Sequence, residues 1–133
     1  MTGLLLYYGW FGLRDSCSSR LYGGTEDGMS EENRAFYQDA YLRSPEDFLD
    51  PKLDVLNADL RGLPFSSLIV SDIDPLLDDS ESLSTLLEKS GVPVEMHLHN
   101  GVLHGFLHYS RMLDASESAL GQGADFLRRV FVL

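Results

Sequence analysis

The run Leu4-Leu5-Leu6-Tyr7-Tyr8, closed by Gly9, restricts the fold more than any other feature of the 133-residue sequence. A short continuous apolar stretch ended by glycine has the length of a strand rather than a helix, and it offers no polar face to water. Such a strand belongs inside a parallel sheet covered by helices on both sides. Leu68-Ile69-Val70 repeats the pattern. Val94–His99 departs from it, because apolar Val94, Met96 and Leu98 alternate with Glu95, His97 and His99. That alternation predicts an edge strand with its polar face in solvent.

The intervening segments read as connections and helices. Asp15–Met29 is rich in Gly, Ser and Asp, with Gly23-Gly24 and Gly28 marking turns. Ser30 is placed to cap a helix with Glu31 and Glu32 in its first turn, Ala35, Phe36, Ala40 and Tyr41 on its apolar side, and Pro45 at its end. The stretch from there to Pro64 is irregular, holding Asp50-Pro51 and Arg61-Gly62. Leu83, Leu86 and Leu87 predict a helix capped by Asp78 or Ser80 and stopped by Gly91 and Pro93. Leu113, Leu120, Ala124, Leu127 and Phe131 predict the apolar face of a last helix from about Asp114, with Asp114 and Glu117 as a capping-box pair. Strand and helix thus alternate through one domain over residues 1–133, which predicts an α/β fold, a parallel sheet with flanking helices. Chemistry in such sheets collects beyond the carboxyl ends of the strands, here after Tyr8, Val70 and His99.

Composition excludes several function classes. A formal net charge of −11 argues against nucleic acid or an anionic membrane as partner, since both demand clustered Lys and Arg. The single cysteine, Cys17, cannot form an internal disulfide and fits a reducing, cytoplasmic setting. Met1–Leu13 is apolar but has no basic leader or small-residue cleavage site, and Arg14 and Asp15 stop it short of a membrane span, so neither a signal nor an anchor is expected.

Ser71-Asp72-Ile73-Asp74-Pro75 follows the second strand, and Asn100-Gly101-Val102-Leu103-His104-Gly105-Phe106 follows the third. An acid after one strand and a histidine after the next is the Asp…His order of an α/β-hydrolase triad. One strand-helix-strand crossover separates Asp74 from His104 and returns both to the same end of the sheet. Taken singly, Asp74 is a turn residue ahead of Pro75 and His104 a loop histidine; the pair carries the inference. Two rival readings use neighbouring residues. Asp72 with Asp74 is similar to the paired aspartates of haloacid-dehalogenase-like phosphotransferases, although Pro75 and Leu76 stand where glycine and threonine are usual there. His97 with His99, and His104 with His108, have metal-ligand spacing, but a solvated strand face accounts for the first pair and no third ligand is nearby. Trp10, Phe11 and Phe106 suit either an acyl pocket or the core.

Asp74-Pro75-Leu76 with Asp78-Asp79, then His104-Gly105-Phe106, resembles the hormone-sensitive-lipase-like branch of α/β-hydrolase esterases. Gly12-Leu13-Arg14-Asp15-Ser16, Arg20-Leu21-Tyr22-Gly23-Gly24, Ala40-Tyr41-Leu42, Asp59-Leu60, Leu63-Pro64 and His108-Tyr109-Ser110-Arg111-Met112 extend the likeness over nearly the whole chain, toward the bacterial acetyl esterases within that branch. The resemblance implies the C-terminal half of an α/β-hydrolase fold, with Asp74 as triad acid and His104 as general base. It further implies hydrolysis of small short-chain acyl esters through an acyl-enzyme, without a cofactor. That family's G-x-S-x-G elbow and His-Gly-Gly motif are absent from these residues, and no serine here has glycine on both sides in the elbow spacing. Asp and His activate and orient a serine but do not replace it, so this chain alone is expected to be inactive. Met1 accordingly reads as a point of truncation. Removing a preceding half would leave Leu4–Tyr8 as an open apolar edge, which predicts self-association, or a role as a non-catalytic interaction module or split-enzyme half.

Overall fold

The computed structural model describes residues 1–24 and 29–131, so Gly28 of the expected turn lies outside the described residues. Three parallel strands, β1 (Leu4–Tyr7), β2 (Ser66–Ile73) and β3 (Val94–Leu103), form a sheet in the order β1-β2-β3. Leu4 lies opposite Ser66, and Ser66 opposite Val94, so the three strands start level. The helices are α1 (Cys17–Tyr22), α2 (Glu31–Tyr41), α3 (Leu77–Lys89) and α4 (Asp114–Phe131).

The two-residue period of β2 divides the core. Leu68 and Val70 point to one face and pack with Leu83 and Leu87 of α3, Phe11, Leu60 and Val92. Ile69 points the other way and packs with Val102, Phe106 and Ala119 of α4. A central strand covered on both faces must be apolar throughout, which is why β2 reads as an unbroken run. Phe11 and Phe106 are both buried core residues.

Local chemistry accounts for most element ends. Ser30 accepts the Asn33 amide at 3.1 Å and starts α2 as expected. α1 was not expected: Ser16 caps it by accepting the Ser19 amide at 3.0 Å. Short 3-10 turns at Pro45–Leu49 and Val55–Asn57 break the segment read as irregular. In α3 neither Asp78 nor Ser80 caps, because Leu76 holds the cap position without a side-chain bond. The two acids instead tie down the chain leaving β1. Asp79 Oδ1 accepts the amides of Phe11 at 2.9 Å and Leu13 at 3.0 Å, while Asp78 Oδ2 accepts that of Ser18 at 2.9 Å. Asp114 is the first helical residue of α4 rather than its cap, and the Leu113 carbonyl accepts from Ser116 and Glu117. The capping box between Asp114 and Glu117 is therefore not made.

Two faces are inverted relative to the sequence reading. Along β3 the polar side chains turn inward, under α4: His99 is buried with Nε2 2.9 Å from Gln122 Oε1, and Glu95 accepts from Arg129 at 2.6 Å. Met96 and Leu98 are the exposed pair. On α4 the buried positions are Ser116, Ala119, Gly123 and Phe126, whereas Leu120, Leu127 and Phe131 face outward, as does Leu113 just before the helix. Close approach to the sheet explains both. A Cβ on Gly123 would fall 2.1 Å from the Tyr7 hydroxyl oxygen, so α4 lies on the sheet through small residues, near enough for Gln122 and Arg129 to reach β3.

Candidate active site

Asp74 follows β2 directly, where the turn before Pro75 directs its carboxylate into the protein. The side chain is 1% exposed, and a carboxylate so deeply buried requires several donors. It has three. The Leu76 amide donates to Oδ1 at 2.7 Å, the Ser71 hydroxyl donates to Oδ2 at 2.9 Å, and His104 Nδ1 lies 2.9 Å from the same Oδ2. With Asp74 acting as acceptor, the network assigns the ring proton to Nδ1 and leaves Nε2 bare. No group among the described residues hydrogen-bonds Nε2, and the His104 side chain is 18% exposed. The pair is thus a buried anchor beneath a partly accessible basic nitrogen.

A bulge delivers His104 to this position. Ser71 pairs with His99 and Ile73 with Leu103, so β3 uses four residues where β2 uses two. Gly101 takes φ 74° inside the bulge, and Gly105 takes the same value just after His104, a left-handed conformation that favours glycine at both points. Asp72 Oδ1 braces the bulge by accepting the amides of Gly101 at 2.8 Å and Val102 at 3.3 Å. The Ser116 hydroxyl then donates to the Phe106 carbonyl at 2.8 Å and fastens the following turn to α4.

Tyr8 closes the other side. It is the single non-glycine residue with positive φ among the described residues, at 34°, a conformation costing on the order of 1–3 kcal/mol unless its surroundings enforce it. Its ring meets the His104 ring edge-to-face at 4.8 Å. Burial, then the Asp74 carboxylate and Tyr7, push the Tyr8 phenol above its ordinary value, so it stays protonated near neutral pH.

Of the residues singled out in the sequence, Asp74 and His104 meet. Asp72 and Asp74 are engaged by different partners, backbone amides for the first and His104 for the second. His97 approaches Glu95 at 3.3 Å while His99 bonds Gln122, and His108 is exposed on the 3-10 turn Phe106–Tyr109. No cluster of three or more His, Cys, Asp or Glu that could hold a metal occurs among the described residues. Nor is any helix of the described residues long and apolar enough to cross a membrane. Sequence reading missed Ser71, Asp72 as a brace, and Tyr8. Ser71 and Asp72 were findable, since polar residues at the end of a buried strand need partners; the φ of Tyr8 has no signature in sequence.

Comparison with known proteins gives a consistent result. The model of the alpha/beta hydrolase fold matches residues 1–108. Acetyl esterase of Salmonella choleraesuis is 42% identical over 127 residues, covering 95% of this chain and 39% of that protein. Acetyl esterase of Salmonella typhi is 44% identical with the same coverage. An esterase of Pyrobaculum calidifontis superposes with a TM-score of 0.92 at 29% identity, over 98% of this chain and 44% of that one. A thermophilic carboxylesterase cloned from a metagenomic library gives 0.91 at 27% identity, over 96% and 45%. The chain therefore spans about two fifths of the length of the curated relatives it matches.

Proposed function

Because the chain belongs to the α/β-hydrolase fold family, we propose that Asp74 and His104 are the acid and base of a serine esterase acting on small, short-chain acyl esters, acetyl esters foremost. The observation that carries this reading is the 2.9 Å contact between buried Asp74 Oδ2 and His104 Nδ1 beneath an unengaged Nε2. In this scheme Nε2 takes the proton of a serine hydroxyl as its oxygen attacks the ester carbonyl. The proton then passes to the departing alkoxide, leaving an acyl-serine and a free alcohol. Water, deprotonated by the same nitrogen, attacks the acyl group and releases the carboxylic acid with the serine restored. Asp74 holds the ring through Nδ1 and stabilises the imidazolium.

The serine is to be supplied by residues beyond these 133, or by another chain, and one side of the molecule suits such a partner. β1 is an edge of the sheet with no strand on its outer side among the described residues. At roughly 100° per residue, Leu120, Leu127 and Phe131 lie about a quarter turn from the buried stripe of α4, on the side opposite Gln122 and Arg129. Those two polar residues reach β3, so the apolar row overhangs β1. An open strand edge under an exposed apolar ridge favours a partner that adds a strand and covers a helix face. The same surface would serve a second copy of the chain, and it is the observation that favours the second reading, a non-catalytic interaction module.

The test is acetyl-ester hydrolysis by this chain alone and after mixing with the separately made serine-bearing part of an acetyl esterase relative. Negligible activity alone, restored on mixing and abolished by His104→Ala, is the expected result. Activity of the lone chain that disappears in His104→Ala would refute the need for an outside serine. A complex without activity would favour the interaction module.

A further inference from the structure

One hydrogen bond cannot fix the plane of an imidazole. The Asp74 contact holds Nδ1 at a point, but the ring can still tilt about the Nδ1–Oδ2 line and carry Nε2 with it. Tyr8 restrains that motion. Its amide donates to the Ile69 carbonyl at 2.8 Å, so the residue is held in register with β2, and the backbone then turns into the left-handed region. That turn places the ring 4.8 Å from His104, at 65° between planes, and 5.8 Å from Phe106. Phe106 is itself buried and lies 5.3 Å from the ring of His99, which is anchored to Gln122 of α4. A continuous aromatic row therefore runs from α4 through His99, Phe106 and Tyr8 to His104.

We infer that Tyr8 is a positioning residue, whose ring, presented by a strained turn at the end of β1, sets the plane of the His104 imidazole and so aims Nε2. The inference rests on the proposed role of the Asp74–His104 pair and deepens it. Backbone strain in a non-glycine residue persists where the surroundings enforce it, and here it falls beside the one basic nitrogen the site leaves unengaged. The phenol oxygen makes no hydrogen bond among the described residues, so the ring rather than the hydroxyl does the positioning.

Two measurements separate this inference from the reading beneath it. In the mixed system, Tyr8→Leu should lower kcat roughly 10- to 100-fold with KM little changed, the scale expected of a displaced general base. Tyr8→Phe should retain wild-type kcat. An effect confined to KM, or an equal loss in Tyr8→Phe, would overturn the inference, the first because it indicates contact with substrate and the second because it indicates the hydroxyl. In the 133-residue chain, nitrogen-15 NMR of the histidine rings should show the Nδ1-protonated form of His104 in wild type and Tyr8→Phe. Tyr8→Leu should keep that form but widen the motion of the His104 ring, read from carbon-13 relaxation of its C–H groups, while the His99 ring stays rigid. An unchanged His104 ring in Tyr8→Leu would overturn the inference, and Tyr8→Gly, which suits the positive φ, replaces it if the leucine variant fails to fold. If Asp74→Asn leaves the wild-type His104 pattern intact, the pairing with Asp74 itself fails, whatever Tyr8 does.

Discussion

Asp79 should make the chain more stable in mild acid than at neutral pH, against the usual trend for carboxylates. Burial pushes its carboxyl up to about 6, outweighing the amide hydrogen bonds from Phe11, Leu13 and Gly12 that act to lower it. A carboxyl with a raised folded pKa holds its proton more tightly in the native state. Its stabilising contribution is then complete below about 3.8 and is lost as pH rises through about 6. The shift is a little over two units at about 1.4 kcal/mol each, so ionised Asp79 should cost roughly 3 kcal/mol near neutrality. Asp79→Asn keeps an oxygen for the Phe11 and Leu13 amides and removes the charge. Urea unfolding followed by circular dichroism, at several values between about pH 4 and pH 7.5, measures the difference between variant and parent. That difference should rise by roughly 2–3 kcal/mol in favour of the variant across the range. Carboxylates held low by a partner, such as Asp59 beside Arg61 at about 2, bend both curves alike and cancel. A difference that is flat with pH would refute the reasoning. Asp79→Ala, by contrast, should cost about 1–3 kcal/mol for each buried amide left without an acceptor, at every pH.

The remaining expectations concern packing and the site. Gly123→Ala should destabilise by about 1–3 kcal/mol despite better helix propensity, because its methyl meets the Tyr7 hydroxyl; Tyr7→Phe in the same chain should recover most of the loss in a double-mutant cycle. Ser71→Ala removes one of three donors to the buried Asp74 carboxylate and should destabilise the fold by about 1–3 kcal/mol in equilibrium unfolding, an effect that Asp74→Asn in the same chain should reduce.

The sequence by itself determined the strand order along the chain, the parallel α/β class and the two residues that meet. Each is written in a local signal. Continuous apolar runs at Leu4–Tyr8 and Leu68–Val70 have the length and composition of strands in a helix-covered sheet, and an acid and a histidine after successive parallel strands return to the same end of it. Tertiary structure decided which way the mixed faces turned. β3 alternates cleanly, yet α4 lies so close that its Gln122 and Arg129 satisfy His99 and Glu95 from above, which makes the polar face the inner one. On α4 the larger side chains are the natural choice for the core when read along the helix, but the gap over Tyr7 leaves no room for a side chain at Gly123, and the stripe through it buries Ser116, Ala119 and Phe126 instead. The positive φ of Tyr8 belongs to the same class, since it goes with a ring packed between His104 and Phe106, contacts made only across the fold. Hydrophobic periodicity records which residues can be buried; the distance between layers and the partners available across it select which ones are.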